Sequence, residues 1–432
     1  MDTPEKIKIV IVNTSERVGG AAIAANRLTK ALNKNGADVS MLVMNKQTGD
    51  KAVISILQSP IHTIRAKWRF LWERLLIFAA NKFSRQNLFQ VSIANTGFDL
   101  SKHPAVQSAD IIHLHWINQG FLSLDGIKKL IRSGKPVVWT LHDMWPATGI
   151  CHYPSTCEKY RNECDTCPLL TGNKHRDLSH RYFRKKRNLL LDQVQYVGCS
   201  NWIISSSKKS SLLKEASFSS IPNPIDTNVF RQLPSREARK RLSLPENKHL
   251  ILFSAAKISD KRKGGAYFIE ACNYFLSQYP NLAKDTEIVL TGQGDPEFFN
   301  QIQLKINTLN YISDESELAA VYSAVDLFAI PSLEDNLPNT IMEAMACGTP
   351  SVGFKTGGIP EMIDHKENGY ISEYKDAEDF AEGIRYILQN SESDSMNLKC
   401  LEKTRRFYAE EIVAEKYLEL YESLIKRKIS FK

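Results

Sequence analysis

The sequence predicts an α/β fold in which two parallel sheets, each covered by helices, belong to separate domains. Two series of short apolar strands alternate with helical segments, and a segment rich in Pro, Asn and Ser at residues 219–226 separates the two series. A chain of 432 residues is also too long for one ordinary hydrophobic core. We therefore expect two similar α/β halves with a cleft between them.

In the first half, short apolar runs predict strands, and apolar residues at helical spacing predict helices. The predicted strands are 7–12, 39–44, 110–114 and 136–141, and the predicted helices are 21–34 and 122–133. The loop after the first strand ends in Gly19 and Gly20, where a glycine backbone and a helix N-terminus suit an anionic ligand. A plain tight turn is the commoner explanation of such a pair, and the third glycine of the dinucleotide-binding fingerprint is absent.

The second half repeats the alternation, which predicts a second parallel sheet. The predicted strands are 248–253, 287–290, 325–330 and 350–353, and the predicted helices are 266–278, 296–304, 315–324 and 339–346. Residues 402–428 form one long helical pattern near the C-terminus.

Charge is distributed unevenly along the chain. The net charge is +8, but residues 1–220 carry +15 and residues 221–432 carry −7. This asymmetry predicts an anionic partner for the first half, with nucleic acid, a membrane surface and a phosphorylated substrate as the choices. No leader-like N-terminus and no apolar run of membrane-spanning length is visible, so we expect a cytoplasmic protein.

The segment 331–350 carries the most chemistry. A strand ends here, a loop with Glu334 and Asp335 follows, and a helix bearing Glu343 leads to Gly348. Open α/β sheets bind ligands at the carboxyl ends of their strands, where carboxylates accept hydrogen bonds from sugar or ribose hydroxyls. Solvated carboxylates on a loop and a surface helix are the alternative.

Other strand ends also carry candidate functional side chains. Lys257 and Lys263 belong to a basic, glycine-ended segment that suits a diphosphate, with a solvated basic loop as the alternative. His142 follows another strand, which is a catalytic position in α/β folds. His113 and His115 share one face of a third strand and are interpreted as structural or pocket-lining residues.

The segment 331–350, together with Lys257, Lys263 and the sequence Gly-Gly-Ile-Pro-Glu at 357–361, resembles the retaining glycosyltransferases of family 4. The resemblance runs nearly end to end and keeps the order of the motifs. It implies the GT-B fold, with two Rossmann-like domains facing across a cleft. The implied parts are an acceptor-binding domain at 1–220, a nucleotide-sugar-binding domain at 221–405 and a helix at 406–432 that packs back on the first domain.

The same resemblance implies roles for individual residues. The implied catalytic residues are His142, Lys257, Lys263 and Asp335, and the implied donor-binding residues are Gly19, Gly20, Tyr311, Ile312, Asn336, Leu337 and Glu343. Asp335 stands where the family has a longer glutamate, and Lys257 stands where it has arginine, so the bidentate guanidinium is lost. The lysines are expected to stabilise the leaving nucleoside diphosphate, and neither a metal ion nor another cofactor is expected.

The implied activity is transfer of a sugar from a nucleotide-sugar donor to a hydroxyl acceptor. The expected acceptor is a lipid-linked saccharide in surface polysaccharide or lipopolysaccharide synthesis. A GT-B sugar-nucleotide epimerase and a zinc-bearing nucleic-acid-binding protein are the alternatives. The second leaves Lys257, Asp335 and Glu343 without a role, and no nucleic-acid recognition module is visible, so nucleic acid is not expected as a partner.

Two features lie outside these motifs. Residues 61–78 form an amphipathic pattern with tryptophans and cations, which suits peripheral contact with an anionic membrane, although a core helix explains the apolar stripe equally well. Cys151, Cys157, Cys164 and Cys167 fall in one short stretch, which in a cytosolic protein suggests zinc rather than disulfides. Free thiols and a reversible disulfide are the alternatives, because the first spacing is looser than in common zinc knuckles.

Overall fold

The computed structural model describes residues 6–171, 175–257, 260–293, 296–391 and 395–430. It divides into two compact units, one formed by Met1–Pro222 with Val413–Lys432 and the other by Asn223–Ile412. Each unit is a parallel sheet with helices packed against it, which confirms the predicted fold class.

The first unit is built on a seven-stranded sheet in the order β3-β2-β1-β4-β5-β6-β7. All neighbouring strands are parallel. The strands are β1 (Lys8–Val12), β2 (Asp38–Val43), β3 (Val53–Ser55), β4 (Ile111–Leu114), β5 (Val137–Leu141), β6 (Val194–Gly198) and β7 (Ser217–Ser220). The helices are α1 (Gly20–Lys34), α2 (Pro60–Ala80), α3 (Pro104–Ser108), α4 (Leu124–Ile131), α5 (Leu178–Lys186) and α6 (Asn201–Lys208).

Both faces of this sheet are buried. Along β1, Val10 and Val12 belong to one hydrophobic core, whereas Ile9 and Ile11 belong to another on the opposite face. A strand that is covered on both sides needs apolar residues at every position, so the sequence shows a continuous apolar run instead of an alternating one.

The second unit is built on a six-stranded parallel sheet in the order β10-β9-β8-β11-β12-β13. Its strands are β8 (His249–Lys257), β9 (Thr286–Gln293), β10 (Ile306–Leu309), β11 (Leu327–Ile330), β12 (Ser351–Phe354) and β13 (Gly369–Ser372). Its helices are α7 (Ser235–Arg241), α8 (Gly265–Gln278), α9 (Pro280–Ala283), α10 (Glu315–Ala324), α11 (Asn339–Ala346), α12 (Ile359–Met362), α13 (Ala377–Gln389) and α14 (Ser395–Phe407).

Several helices begin at residues whose side chains accept a backbone N–H. Ser59 caps α2, Ser123 caps α4 and Asp314 caps α10. These caps satisfy N–H groups that have no partner within the first helical turn.

The predicted helix at 296–304 is wrong. Only Pro296–Phe299 forms a short 3-10 turn, and Phe299, Ile302 and Leu304 reach the core of the second unit from this turn and the residues after it. Helical spacing and successive core contacts from a turn produce similar apolar patterns over so short a segment.

The predicted single helix at 402–428 is also wrong, because it is interrupted between α14 and α15 (Glu410–Ser430). Ile225 forms a parallel bridge at this point. Its N–H donates to the carbonyl of Tyr408, and its carbonyl accepts from the N–H of Glu410. These bonds take the backbone of residues 408–410 out of the helical pattern.

The terminal helix α15 is part of the first unit from Val413 onward. Tyr417 and Tyr421 are buried in the same core as Ile9 and Ile11. The Tyr417 hydroxyl lies 2.9 Å from Oγ1 of Thr140. These contacts fix the helix on strands β1 and β5. No helix in the described part of the chain combines the length and the apolar composition that a membrane crossing requires.

Candidate functional site

The sheet of the second unit reverses its strand order between β8 and β11. From β8 the chain adds β9 and β10 on one side, and from β11 it adds β12 and β13 on the other. Open α/β sheets bind ligands beside the carboxyl ends of two strands at such a switch point. The segments that follow these two strands contain Lys263 and Asp335.

The two segments lie in direct contact. Gly264 has a φ of 71°, and a Cβ atom at this position would lie 1.8 Å from the carbonyl oxygen of Pro331. The N–H of Leu333 donates to the carbonyl of Arg262 at 2.8 Å, and Nη1 of Arg262 donates to the carbonyl of Glu334 at 2.7 Å. Only glycine allows this backbone conformation and this close approach together.

Asp335 is buried beside two cations. Its Oδ2 atom accepts from Nζ of Lys263 at 2.6 Å and lies 3.4 Å from Nη1 of Arg262 and from Oγ of Ser332. Burial alone would raise the pKa of Asp335, but Lys263 and Arg262 outweigh that effect and lower it below its ordinary value. The carboxylate is therefore ionised at neutral pH and orients two cations whose combined charge exceeds its own.

A third segment, which follows β12, closes over the backbone of Asp335. Gly357 has a φ of 57°, and a Cβ atom there would lie 1.7 Å from the carbonyl oxygen of Asp335. The N–H of Gly358 donates to the same oxygen at 3.1 Å. The glycines of the 357–361 motif thus hold the carboxylate loop from the other side.

The remaining predicted residues of the 331–350 segment are buried. Glu343 lies on α11 and accepts from the hydroxyl of Tyr322 at 3.1 Å, so it is not a surface helix residue. Asn336 and Leu337 are buried immediately before α11. Asp335 and Glu343 therefore have different bonding partners, a lysine for the first and a tyrosine for the second.

Three predicted residues of this unit are more accessible. Lys257 is exposed at the end of β8, opposite Gln293 of β9. Tyr311 is exposed and Ile312 half-buried in the loop between β10 and α10. In the described part of the chain, none of these three residues belongs to the cluster around Asp335. Residues 258–259 of the predicted phosphate-binding segment lie outside the described residues.

In the first unit, three histidines form a connected chain. Nε2 of His142 lies 2.9 Å from Nδ1 of His115, whose ring centroid is 4.3 Å from that of His113. The ring nitrogens of His113 lie 2.7 Å from Oγ1 of Thr140 and 2.8 Å from the hydroxyl of Tyr421. His113 and His115 are buried, whereas His142 is half-buried at the end of β5.

The three histidines are neutral at physiological pH. Burial lowers the pKa of His142 to about 4 and that of His113 to about 3, and it also lowers the pKa of His115. A neutral His142 shares one hydrogen bond with His115 through Nε2, and its Nδ1 atom contacts Sγ of Cys199 at 3.9 Å. It is thus a neutral hydrogen-bonding group and not a cation.

Gly19 and Gly20 lie at the start of α1. Gly19 has a φ of 89°, which favours glycine, and its carbonyl accepts from the N–H groups of Ala22 and Ile23. Both glycines are exposed, and a Cβ atom at position 19 would meet nothing within 4 Å. The conformation requires glycine here for its φ value.

Helix α2 exposes a stripe of apolar side chains and buries one ion pair. Glu73 accepts from the N–H groups of Ile93 and Ala94 and pairs with Arg74 at 3.0 Å, and both charged side chains are buried. The apolar face of α2 consists of the exposed residues Ile61, Ile64, Trp68, Leu71, Trp72 and Leu75. A core helix, the alternative interpretation of this stripe, is therefore wrong.

The cysteine-rich stretch folds into the same unit. Burial raises the pKa of Cys164 to about 12 and that of Cys167 to about 11, and it raises the pKa of Cys151 well above its ordinary value. Proximity to the other thiols adds to each shift. Within the described ranges, no three His, Cys, Asp or Glu side chains are already arranged to hold a metal ion.

Sequence reasoning missed two residues of these sites. Arg262 was visible in the basic run 261–263, but the sequence does not show which of its side chains turns toward Asp335. Tyr322 carries no local signal, because its contact with Glu343 joins two helices that meet only after folding.

Two family models match this chain. Residues 248–390 match the model described as glycosyl transferases group 1, and residues 18–229 match the model described as glycosyltransferase family 4. The first range contains the cluster around Asp335, and the second contains the histidine chain.

Curated relatives resemble parts of the chain. It is 25% identical over 209 residues to N-acetyl-alpha-D-glucosaminyl L-malate synthase of Bacillus anthracis, covering 47% of this chain and 51% of the relative. It is 23% identical over 190 residues to UDP-Gal:alpha-D-GlcNAc-diphosphoundecaprenol alpha-1,3-galactosyltransferase of Escherichia coli, covering 42% and 48%. It is 22% identical over 342 residues to the putative colanic acid biosynthesis glycosyl transferase WcaC of Escherichia coli K12, covering 74% and 77%. The chain spans about half the length of the first of these relatives and 77% of WcaC.

Solved structures share the whole architecture. Sucrose-phosphate synthase from Thermosynechococcus elongatus has a TM-score of 0.66 at 18% identity, covering 98% of this chain and 100% of its own. Alr3699/HepE of Anabaena in complex with UDP-glucose has a TM-score of 0.62 at 16% identity, covering 96% and 100%. The glycosyltransferase WaaG has a TM-score of 0.60 at 15% identity, covering 96% and 99%. These similarities establish the GT-B fold.

Proposed function

Because the chain belongs to glycosyltransferase family 4, among the glycosyl transferases of group 1, we propose that it transfers a sugar from a nucleoside diphosphate to a hydroxyl group of a saccharide acceptor. The observation that carries the proposal is the pair of cations, Arg262 and Lys263, held by buried Asp335 at the switch point of the second sheet. Fixed cations beside the first turn of a helix, here α8, suit a diphosphate.

The proposed chemistry follows from where negative charge develops. Breaking the bond between the sugar and the diphosphate leaves charge on the outer phosphate. Lys263 and Arg262 stabilise that charge, and Asp335 holds them in place beforehand, so little reorganisation is needed during the reaction. Exposed Lys257, at the end of β8, the strand that precedes these two cations, adds a third positive charge at the same sheet edge. In this proposal, the side chains neutralise the leaving group without a metal ion.

We propose that the anomeric configuration is retained. The acceptor hydroxyl attacks the anomeric carbon from the same face that the diphosphate leaves. The departing phosphate takes the proton of the acceptor hydroxyl as the new glycosidic bond forms. Neutral His142 then orients a reacting hydroxyl group, since a histidine whose pKa is about 4 is a poor acceptor for a proton that must be held at neutral pH.

The names of similar proteins support the substrate classes. One similar structure contains UDP-glucose, and one relative is named for transfer from UDP-Gal to a diphosphoundecaprenol-linked sugar. WcaC is named for colanic acid biosynthesis. These names support a UDP-sugar donor and a lipid-linked saccharide acceptor in surface polysaccharide synthesis.

A lipid-linked acceptor requires contact with a membrane, and the apolar face of α2 supports that contact. Six apolar side chains point outward from one helix, and exposed Arg65 and Lys67 lie among them. An amphipathic helix with tryptophans and cations suits the interface of an anionic bilayer. We therefore propose a cytoplasmic protein that binds the membrane surface peripherally.

The experiment that tests the proposal measures nucleoside diphosphate release from a panel of UDP-, GDP- and ADP-sugars, with lipid-linked saccharides in anionic vesicles as acceptors. We expect one donor to be consumed, with a product of unchanged anomeric configuration. Lys263→Met lowers turnover by about 10²–10³-fold. Lys355→Met, which removes an exposed lysine of the same unit, leaves turnover unchanged. Failure of every sugar nucleotide to bind or react contradicts the proposal, as does sugar interconversion without acceptor.

A further inference from the structure

Four cysteines surround one small cavity in the first unit. Cys151, Cys157, Cys164 and Cys167 all line a cavity of about 20 Å³. That volume admits one water-sized or ion-sized occupant and is too small for an organic ligand. Half of the eight cysteines of the chain, brought from a stretch of 17 residues, therefore line the same small cavity.

A backbone N–H group beside the cavity points at one of the four sulfur atoms. The N–H of Gly149 donates to Sγ of Cys164 at 3.2 Å. A hydrogen bond from an amide stabilises a thiolate more than a thiol. A Cβ atom at position 149 would lie 2.4 Å from the carbonyl of Ser179 on α5, so glycine is what allows this N–H to reach the sulfur atom.

Lys186 brings a buried amino group to the same place. Its Nζ atom donates to the carbonyls of Trp145 and Thr148 and lies 3.4 Å from a ring centroid of Trp145. In the described part of the chain no carboxylate forms an ion pair with it. Negative charge nearby stabilises a buried ammonium group, and Cys151, Cys164 and the carboxylate of Asp143 are all close enough to interact with Lys186 electrostatically.

We propose that Cys151, Cys157, Cys164 and Cys167 bind one structural Zn²⁺ ion as four thiolates. On binding, each thiol releases its proton to solvent and its sulfur coordinates the metal, with no change of oxidation state. Four thiolates and one Zn²⁺ carry a net charge of −2, of which Lys186 offsets one unit. Since the side chains are not yet arranged to hold the ion, binding requires them to rotate until the sulfur atoms lie about 2.3 Å from the metal.

A disulfide accounts for the cluster less well. It would use two thiols of the four and leave the other two without a role at the cavity. A site closed by four protein ligands leaves no position for a substrate, so the zinc stabilises the fold and takes no part in catalysis. It ties the loop after β5 together, directly beyond His142, and so stabilises the strand end that carries this histidine.

The test is the zinc content of the full chain, purified with a reductant and without a metal-binding tag, measured by mass spectrometry. We expect about one zinc per chain, and Cys164→Ser with Cys167→Ser lowers the content to below about 0.2. Cys400→Ser is the matched control. Cys400 is a buried cysteine of the second unit that contacts the carbonyl of Asn368, and the variant keeps the zinc of the wild type.

A second measurement covers the case in which the double variant does not fold. Wild-type protein stripped of metal and loaded with Co²⁺ shows the sulfur-to-metal charge-transfer bands of a tetrathiolate site. Wild-type zinc below about 0.2 per chain after incubation with excess zinc overturns the proposal. Equal zinc in wild type and double variant also overturns it, as does a disulfide among the four cysteines that persists in protein purified with a reductant. All these readouts are independent of sugar transfer.

Discussion

Removal of the two tryptophans on the apolar face of α2 separates binding to a membrane from folding. Trp68 and Trp72 are 67% and 48% exposed, so replacing both by alanine takes little away from the folded structure. We expect the double variant to unfold at the same temperature as the wild type and to lose affinity for anionic vesicles.

The size of the loss follows from the exposed area. A buried tryptophan accounts for about 200 Å² of surface, so the exposed parts of both rings come to roughly 230 Å². Complete burial of that area in lipid would contribute about 6 kcal/mol. The rings of an interfacial helix stay partly among the headgroups and alanine recovers some contact, so we expect about half of this value, or a ~100-fold weaker partition.

The assay is co-sedimentation with vesicles of mixed zwitterionic and anionic lipid at low salt. Leu398→Ala is the matched control, because Leu398 is an exposed apolar residue on α14 of the other unit, and we expect it to partition like the wild type. Salt weakens binding of the wild type, since Arg65 and Lys67 contribute electrostatically. Equal partition of the double variant and the wild type would refute the reasoning, as would no binding of the wild type at any anionic lipid fraction.

Two further predictions concern the folded structure. Gly264→Ala forces a Cβ atom into the carbonyl of Pro331, so it lowers the free energy of unfolding by about 3 kcal/mol or more in urea titrations. Gly134→Ala is the control, because Gly134 has a φ of 74° but a Cβ atom there would meet nothing within 4 Å. Backbone strain alone then lowers its free energy of unfolding by about 1 kcal/mol. Equal decreases for the two variants would contradict the clash between residue 264 and Pro331. The pKa of buried His113 is lowered to about 3, so between pH 6.5 and 4 the unfolded chain binds a proton that the folded chain rejects, and stability falls as the pH falls. We expect His113→Asn to reduce that slope by about 1.4 kcal/mol per pH unit, whereas an unchanged slope would show that His113 does not carry it.

The fold was predictable where burial leaves a clear pattern in the sequence. Strands β1, β5 and β11 are buried and appear as short runs that are apolar apart from Lys8 at the start of β1 and Thr140 in β5. Strand β7 is Ser-Phe-Ser-Ser, so its pairing with β6 depends on backbone hydrogen bonds that no apolar pattern reveals, and the predicted linker at 219–226 began inside it. The break before α15 depends on a partner at Ile225, far away in the sequence.

For the candidate site, the sequence predicts which loops form it but not which side chains contact each other there. Glycines at 264 and 357 mark places where backbones meet, and the sequence shows them directly. The direction of Arg262 and the bond from Tyr322 to Glu343 depend on neighbours supplied by other elements. For α2, periodicity locates an apolar stripe but does not show which side of the helix faces the core. In the structure, the side that faces inward carries Ala66, Ile77 and the ion pair of Glu73 and Arg74, and the apolar stripe faces outward.

The central claim is that Lys263, held by Asp335, binds the outer phosphate of the donor. Calorimetric titration of wild type and Lys263→Met with UDP and with UMP tests it most directly, with GDP and ADP paired with their monophosphates as further probes. Lys263→Met should weaken UDP binding by about 10–100-fold, because it removes one charge-assisted hydrogen bond to the outer phosphate. It should change UMP binding by less than about threefold, because UMP has no outer phosphate. Equal effects on UDP and UMP, or no effect on any of the diphosphates, would contradict the account.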